Sequence, residues 1–245
     1  KDNNGLYINM DQIGLGKRIS KDISVLIKIN LARPAEPGHP RTDMILLADV
    51  IRYIDSYRGS CAIAESANGY LNKNLEQAGL PEMLKRYPVK VIDLDQEETD
   101  QITIRGEEHY LPKCLKEYSV RIGIPAASKR PGMIFSNNVK LFIGAVPRRM
   151  YQINNEVVDW RPRVHIDLHR SVANIYTAIQ DYSPFSFFLN GGLAMDEHTG
   201  EFHFDEILIG EDGIELDRYV LSKYFPNHEI PEYLKSLSNP HTKSI

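Results

Sequence analysis

One stretch of the chain, KINLARPAEPGHPRTD (28–43), gathers Lys28, Asn30, Arg33, His39, Arg41 and Asp43 among three prolines and a glycine. An ammonium and two guanidinium groups suit a carboxylate or a phosphate, because charge-assisted N–H···O bonds, bidentate ones above all, are the strong kind. A histidine among them, His39, can move a proton near neutral pH. The plainer alternative is that Arg33 and Arg41 are solvated and that Asp43 caps the helix that follows. Glu65 and Ser66 end the next apolar run, CAIAES, and either orient a ligand hydroxyl or cap a helix. His165 is a second candidate for proton transfer. Its spacing to His169 in HIDLHR (165–170) is one helical turn, but a pair without a third ligand is no zinc site. Lys140 in NNVKLF and Asn190 in FFLN complete the set, with Lys140 a possible charge partner for Asp196, Asp212 and Asp217. The catalytic candidates are therefore His39, His165 and Glu65. The substrate-binding ones are Lys28, Asn30, Arg41, Asp43, Ser66, Lys140 and Asn190, and no metal-ligating set is identified.

These residues need a scaffold, and the hydropathy pattern supplies one. ISVLIKI (23–29) is β-branched and almost continuously apolar, as in a parallel strand covered on both faces. From Thr42, read as an N-cap, the apolar residues fall at helical spacing up to Gly59, and CAIAE (61–65) and VKVIDL (89–94) read as the next strands. Residues 95–112 switch to period two, which predicts a hairpin. SVRIGIPAA (119–127) reads as a strand and KLFIGAVPRR (140–149) as a strand or helix end. A helix is expected over 165–181 on Leu168, Val172, Ile175 and Ile179, then strands FSFFLN (185–190) and EILIG, and a last helix from 213. His198 and His203 flank a turn and read as surface residues; Trp160, beside Arg161 and Arg163, reads as an aromatic at a rim. The fold class is α/β, a mostly parallel or mixed sheet with helices on both faces in a Rossmann-like three-layer arrangement. An extension (1–22) precedes a single domain (23–225), and a polar tail (226–245) is expected to fray.

Composition narrows the function classes. With 245 residues, 42% apolar and 25% charged, the chain is ordinary for a globular protein, and no apolar run is long enough to span a bilayer. A net charge of -4 without a basic run argues against a nucleic-acid partner. Two distant cysteines, Cys61 and Cys114, fit a reducing cytoplasm. GLGKR (14–18) is too short for a phosphate-binding loop, and no serine nucleophile elbow is present.

Three blocks carry a family resemblance: VLIKINLARP…RTDMILLADVIRYI with the following AIAES, then NNVKLFIGAVP, then FSFFLNGGLAMDEHTG through ILIGEDGIELDRYVLSKYF. Together they resemble the domain of unknown function 362 family across most of residues 23–225. The chain departs from the family pattern at Ile29, where Pro is usual, and at Asn190, where Asp is usual. Some relatives carry iron–sulfur clusters, but two cysteines cannot supply four thiolates, so no cluster is expected here. The resemblance names no general activity and no cofactor, and the oligomeric state stays open. The expected function is binding or transformation of a small anionic metabolite at the C-terminal edge of the sheet. The alternative is a non-catalytic interaction domain that keeps the fold without chemistry.

Overall fold

The computed structural model describes residues 4–19, 23–31, 40–154, 156 and 158–238. The chain opens with α1 (Asn4–Gln12) and α2 (Leu15–Arg18), then β1 (Ser24–Ile29), α3 (Met44–Ser56), β2 (Ser60–Glu65), α4 (Leu71–Gln77), α5 (Leu80–Leu84) and β3 (Val89–Asp93). The predicted hairpin follows as β4 (Thr99–Ile104) and β5 (Glu107–Pro112). Next come β6 (Val120–Ile124), the two-residue β7 (Ser128–Lys129), α6 (Pro162–Ile166) and α7 (Leu168–Tyr182). The last part holds β8 (Phe187–Asn190), β9 (Leu193–Asp196), β10 (Gly200–His203), β11 (Leu208–Gly210), α8 (Gly213–Tyr224) and α9 (Glu232–Leu237).

Six strands form the central sheet in the order β11-β8-β6-β1-β2-β3. All neighbours are parallel except β11, which runs antiparallel to β8. This is the doubly wound order, and it reverses between β1 and β6. The continuous apolar runs follow from burial on both faces. On β1, Val25, Ile27 and Ile29 join one core with Met10 of α1 and Leu47 and Val50 of α3. Leu26 faces the other core, with Phe142, Ile175 and Ile179. Alternate residues thus point to opposite layers, and the α/β/α three-layer fold stands.

Four local expectations change. Asp43, not Thr42, caps α3: its side chain accepts from the backbone N–H of Ile45 and Leu46. Thr42 instead stitches the switch point, where its Oγ1 accepts Asn30 N–H at 2.8 Å and donates to Ile124 O at 2.5 Å. The helix over 165–181 is two helices, because Asp167 leaves helical backbone (φ -136°, ψ 87°) and caps α7 by accepting Arg170 N–H. Of the strand or helix end expected at 140–149, the strand falls, since Lys140–Ala145 form a 3-10 turn. The segment after 225 does not fray up to Ser238: Tyr233 and Leu234 of α9 are fully buried, and Tyr233 OH donates to Phe135 O at 2.9 Å. Their aromatic and apolar surface outweighs the polar residues around them.

Candidate functional site

At the C-terminal ends of β1 and β2 lies a cavity of about 150 Å³, lined in part by Asn30, Glu65, Ser66 and Lys140. Lys28 stands directly behind it. The Lys28 Nζ is 3.1 Å from Glu65 Oε2 and donates to Ile29 O at 2.6 Å, with both side chains buried. Burial pulls the Lys28 pKa down, while Glu65 pushes it back up. Glu65 also accepts three backbone N–H groups: Leu31 on Oε2 (3.2 Å), and Ser66 (2.7 Å) and Ala67 (3.0 Å) on Oε1. Its carboxylate is saturated, so it organises the rim rather than offering itself to a ligand.

Two of those acceptor contacts hold an unusual turn. Ala67 and Asn68 take left-handed backbone, φ 44° and 51°, which an L-residue with a Cβ adopts at a cost of about 1–2 kcal/mol. Arg161 fastens the same turn from the other side. Its guanidinium donates to Ser66 Oγ (2.6 Å), Asn68 Oδ1 (2.8 Å) and Val146 O (2.8 Å), and Asp95 lies 3.6 Å away. Gly144 closes the floor: a Cβ there would stand 2.9 Å from Glu65 Oε1 and 3.1 Å from Lys28 Nζ, so only glycine lets the 3-10 turn approach the ion pair.

Lys140 differs from these cations. It lines the cavity, and its ammonium has no hydrogen-bond or ion partner among the described residues. Crowded surroundings and the nearby Arg130 lower its pKa to about 8. Arg130, Lys140 and Arg161 therefore line a space whose one carboxylate among the described residues, Glu65, is already neutralised by Lys28. Such a cavity favours an anion.

The remaining sequence candidates fall elsewhere. His39 and Arg33 lie outside the described residues. Arg41 Nη2 donates to Gln77 Oε1 at 3.3 Å, toward the end of α4. Asp43 is spent on capping α3. His165 packs edge-on against Trp160 and donates from Nδ1 to Arg161 O at 2.8 Å, and it does not line the cavity. Asn190 sits in a separate buried cluster, accepting from Asn138 Nδ2 (2.8 Å) and donating to Asn137 Oδ1 (2.6 Å). The suggested pairing of Lys140 with acids is corrected. Asp212 caps α8 by accepting Ile214 and Glu215 N–H, Asp196 pairs with His228, and Asp217 accepts backbone N–H from Asn138 and Val139. Cys61 and Cys114 are free and buried, and burial pushes both thiols up to about 12.

Sequence reasoning missed Arg130 and Arg161. Arg161 precedes Pro162 in WRPR, a context that reads as an exposed turn, yet it is 3% exposed. A wider cavity of about 490 Å³ lies between the β4–β5 hairpin and α7, reached by none of the sequence candidates. Its Glu107 is taken by Arg170 (2.8 Å) and Asn174 (2.7 Å).

A family model described as Domain of unknown function (DUF362) matches residues 25–222. No curated protein matches the chain. Among solved structures it is similar to the lactate racemase apoprotein from Thermoanaerobacterium thermosaccharolyticum, at 13% sequence identity and a TM-score of 0.46. That match covers 85% of this chain and 55% of the other, so the chain spans about half the length of the structure it matches. Among the described residues no helix is long and apolar enough to cross a membrane.

Proposed function

The chain belongs to the DUF362 family, and from that premise we propose that it binds a small carboxylate or phosphate in the cavity at the C-terminal edge of β1 and β2. The observation that carries this reading is the Lys140 ammonium, without a partner among the described residues and flanked in the lining by Arg130 and Arg161. Lys140 is only half-buried, but an ammonium that gives up part of its hydration without a counter-charge is unfavourable, and an anion would relieve that cost. A cavity of about 150 Å³ suits a ligand no larger than a benzene-sized group, which means inorganic phosphate or a short carboxylic acid. In this reading Lys140 and Arg130 take the negative charge, and Asn30 and Ser66 supply polar contacts. Glu65, Lys28 and Arg161 hold the walls. Lys140, titrating near neutrality, is the group placed to exchange a proton with the bound molecule.

Thermal unfolding with sulfate, phosphate and a series of two- to four-carbon carboxylates tests the proposal. A ligand that binds only the native state raises the unfolding temperature with concentration. The expected result is a rise with at least one of these anions that Lys140→Met removes. An equal rise in wild type and Lys140→Met, or no rise with any of them, overturns it and favours a non-catalytic interaction domain.

A further inference from the structure

On the opposite side of β7 from the anion cavity, the β9–β10 turn meets the loop between α8 and α9. Ser128 lines the cavity, whereas its neighbour Lys129 reaches away to Glu197, with Nζ 2.6 Å from Oε1. Beside that pair stand His198 and His228. The carboxylate of Glu197 and one nitrogen of each histidine all lie within 4.8 Å of one another.

His228 is oriented as a ligand. Its Nε2 is 2.6 Å from Asp196 Oδ2, and only 6% and 5% of the two side chains are exposed. The other Asp196 oxygen accepts His198 and Thr199 N–H at 2.8 and 3.0 Å, so this carboxylate is fixed by the turn itself. The buried aspartate accepts the Nε2–H, so in the neutral ring it is Nδ1 that offers a lone pair, on the side of Glu197, whose Oε1 is 3.6 Å away. Metal-ligating histidines almost always donate their second ring N–H to a carboxylate, a backbone carbonyl or a water, and Asp196 is a partner of the first kind.

We propose that Glu197, His198 and His228 bind one divalent transition-metal ion, zinc in the first instance, with Asp196 orienting His228. Two imidazoles and a carboxylate are a donor set zinc accepts, with a water as fourth ligand. A tetrahedral zinc with bonds of about 2.0–2.2 Å draws its donors to roughly 3.5 Å apart, closer than they stand without the ion. The adjustment falls on His198. Its ring is stacked on that of His228 at 4.8 Å and 11°, and because it is exposed it turns into the site without disturbing the core. Lys129 holds one oxygen of Glu197 and leaves the second without a hydrogen bond among the described residues. The ion would staple the loop after α8 to the β9–β10 turn.

Cobalt titration of the full-length, untagged, chelator-stripped chain tests this. Four-coordinate cobalt absorbs strongly in the visible range, and zinc displaces it with loss of colour. The expected result is one equivalent of such cobalt, abolished by His198→Ala, whose exposed side chain leaves the fold intact, and also by His228→Ala. Asp196→Asn should weaken zinc binding roughly 10–100-fold. A cobalt spectrum no stronger than that of the aqueous ion, or unchanged binding in His198→Ala, overturns the proposal.

Discussion

Lys28 and Glu65, neighbours across the β1–β2 edge, form an ion pair 3.1 Å long with 1% and 4% of their side chains exposed. Lys28 is in register with Ala64, so the parallel pairing sets the ends of β1 and β2 side by side, and the ammonium and the carboxylate of the next residue, Glu65, meet at that end of the sheet. A buried pair adds little net stability over an apolar one, but breaking it strands a charge. Lys28→Met should therefore destabilise the fold by about 3–5 kcal/mol. Glu65→Leu should cost at least as much, since three backbone N–H groups also lose their acceptor. The double variant should cost clearly less than the sum of the two. Urea unfolding of all three measures the coupling, and simple additivity would show that the pair does not act as a unit.

Affinity for a non-titrating anion should follow Lys140. Its pKa of about 8 means that the charged form prevails below that pH and disappears above it, some two units before an ordinary lysine. Sulfate binding is thus expected to weaken as pH rises through about 8. In Lys140→Arg, whose guanidinium keeps its charge, the fall should be absent from this range. Calorimetric titrations across it, in both proteins, distinguish this from general screening, which would affect the two alike.

Arg41 gives the complementary expectation. Its guanidinium points to Gln77 and not into the cavity, so Arg41→Ala should change anion affinity by less than about 0.5 kcal/mol. A loss comparable with that of Lys140→Met would mean that Arg41 swings over the cavity when a ligand is present.

The strands were legible because parallel burial writes itself as continuous β-branched runs: ISVLIKI predicted β1 to within a residue. Position after a strand also found Asn30, Glu65 and Ser66, which do share one cavity. It could not separate Asp43 from them, since an aspartate beside a ligand and one capping a helix look alike until the backbone is traced. Arg161 was illegible for another reason. It is 96 residues from Glu65 in sequence, and what buries it is a turn whose shape Arg161 itself maintains. Lys140 was found as a residue but given the wrong partners, because Asp212 and Asp217 are consumed by backbone N–H groups.

Asp217 is the strongest case of a residue whose burial the sequence hid. In the first turns of α8 it reads as a helix-start acid, yet it is fully buried. It accepts Asn138 N–H at 2.8 Å and Val139 N–H at 3.1 Å, tying α8 to the turn that carries Lys140. Burial pushes its carboxyl up to about 7, against the pull of those hydrogen bonds. The native state then holds a proton that the unfolded chain, at 3.8, has released. The stabilisation is complete below about pH 4 and is lost as pH rises through about 7. Its size is on the order of a few kcal/mol. His109 works in the opposite sense, since burial lowers its pKa and the native state there binds fewer protons. The contribution of Asp217 is therefore read as a difference. In Asp217→Asn the side chain cannot titrate, so the unfolding free energy of wild type minus that of the variant should decline from about pH 5 to about pH 8. Parallel curves for the two proteins across that range would place the titration of Asp217 outside it.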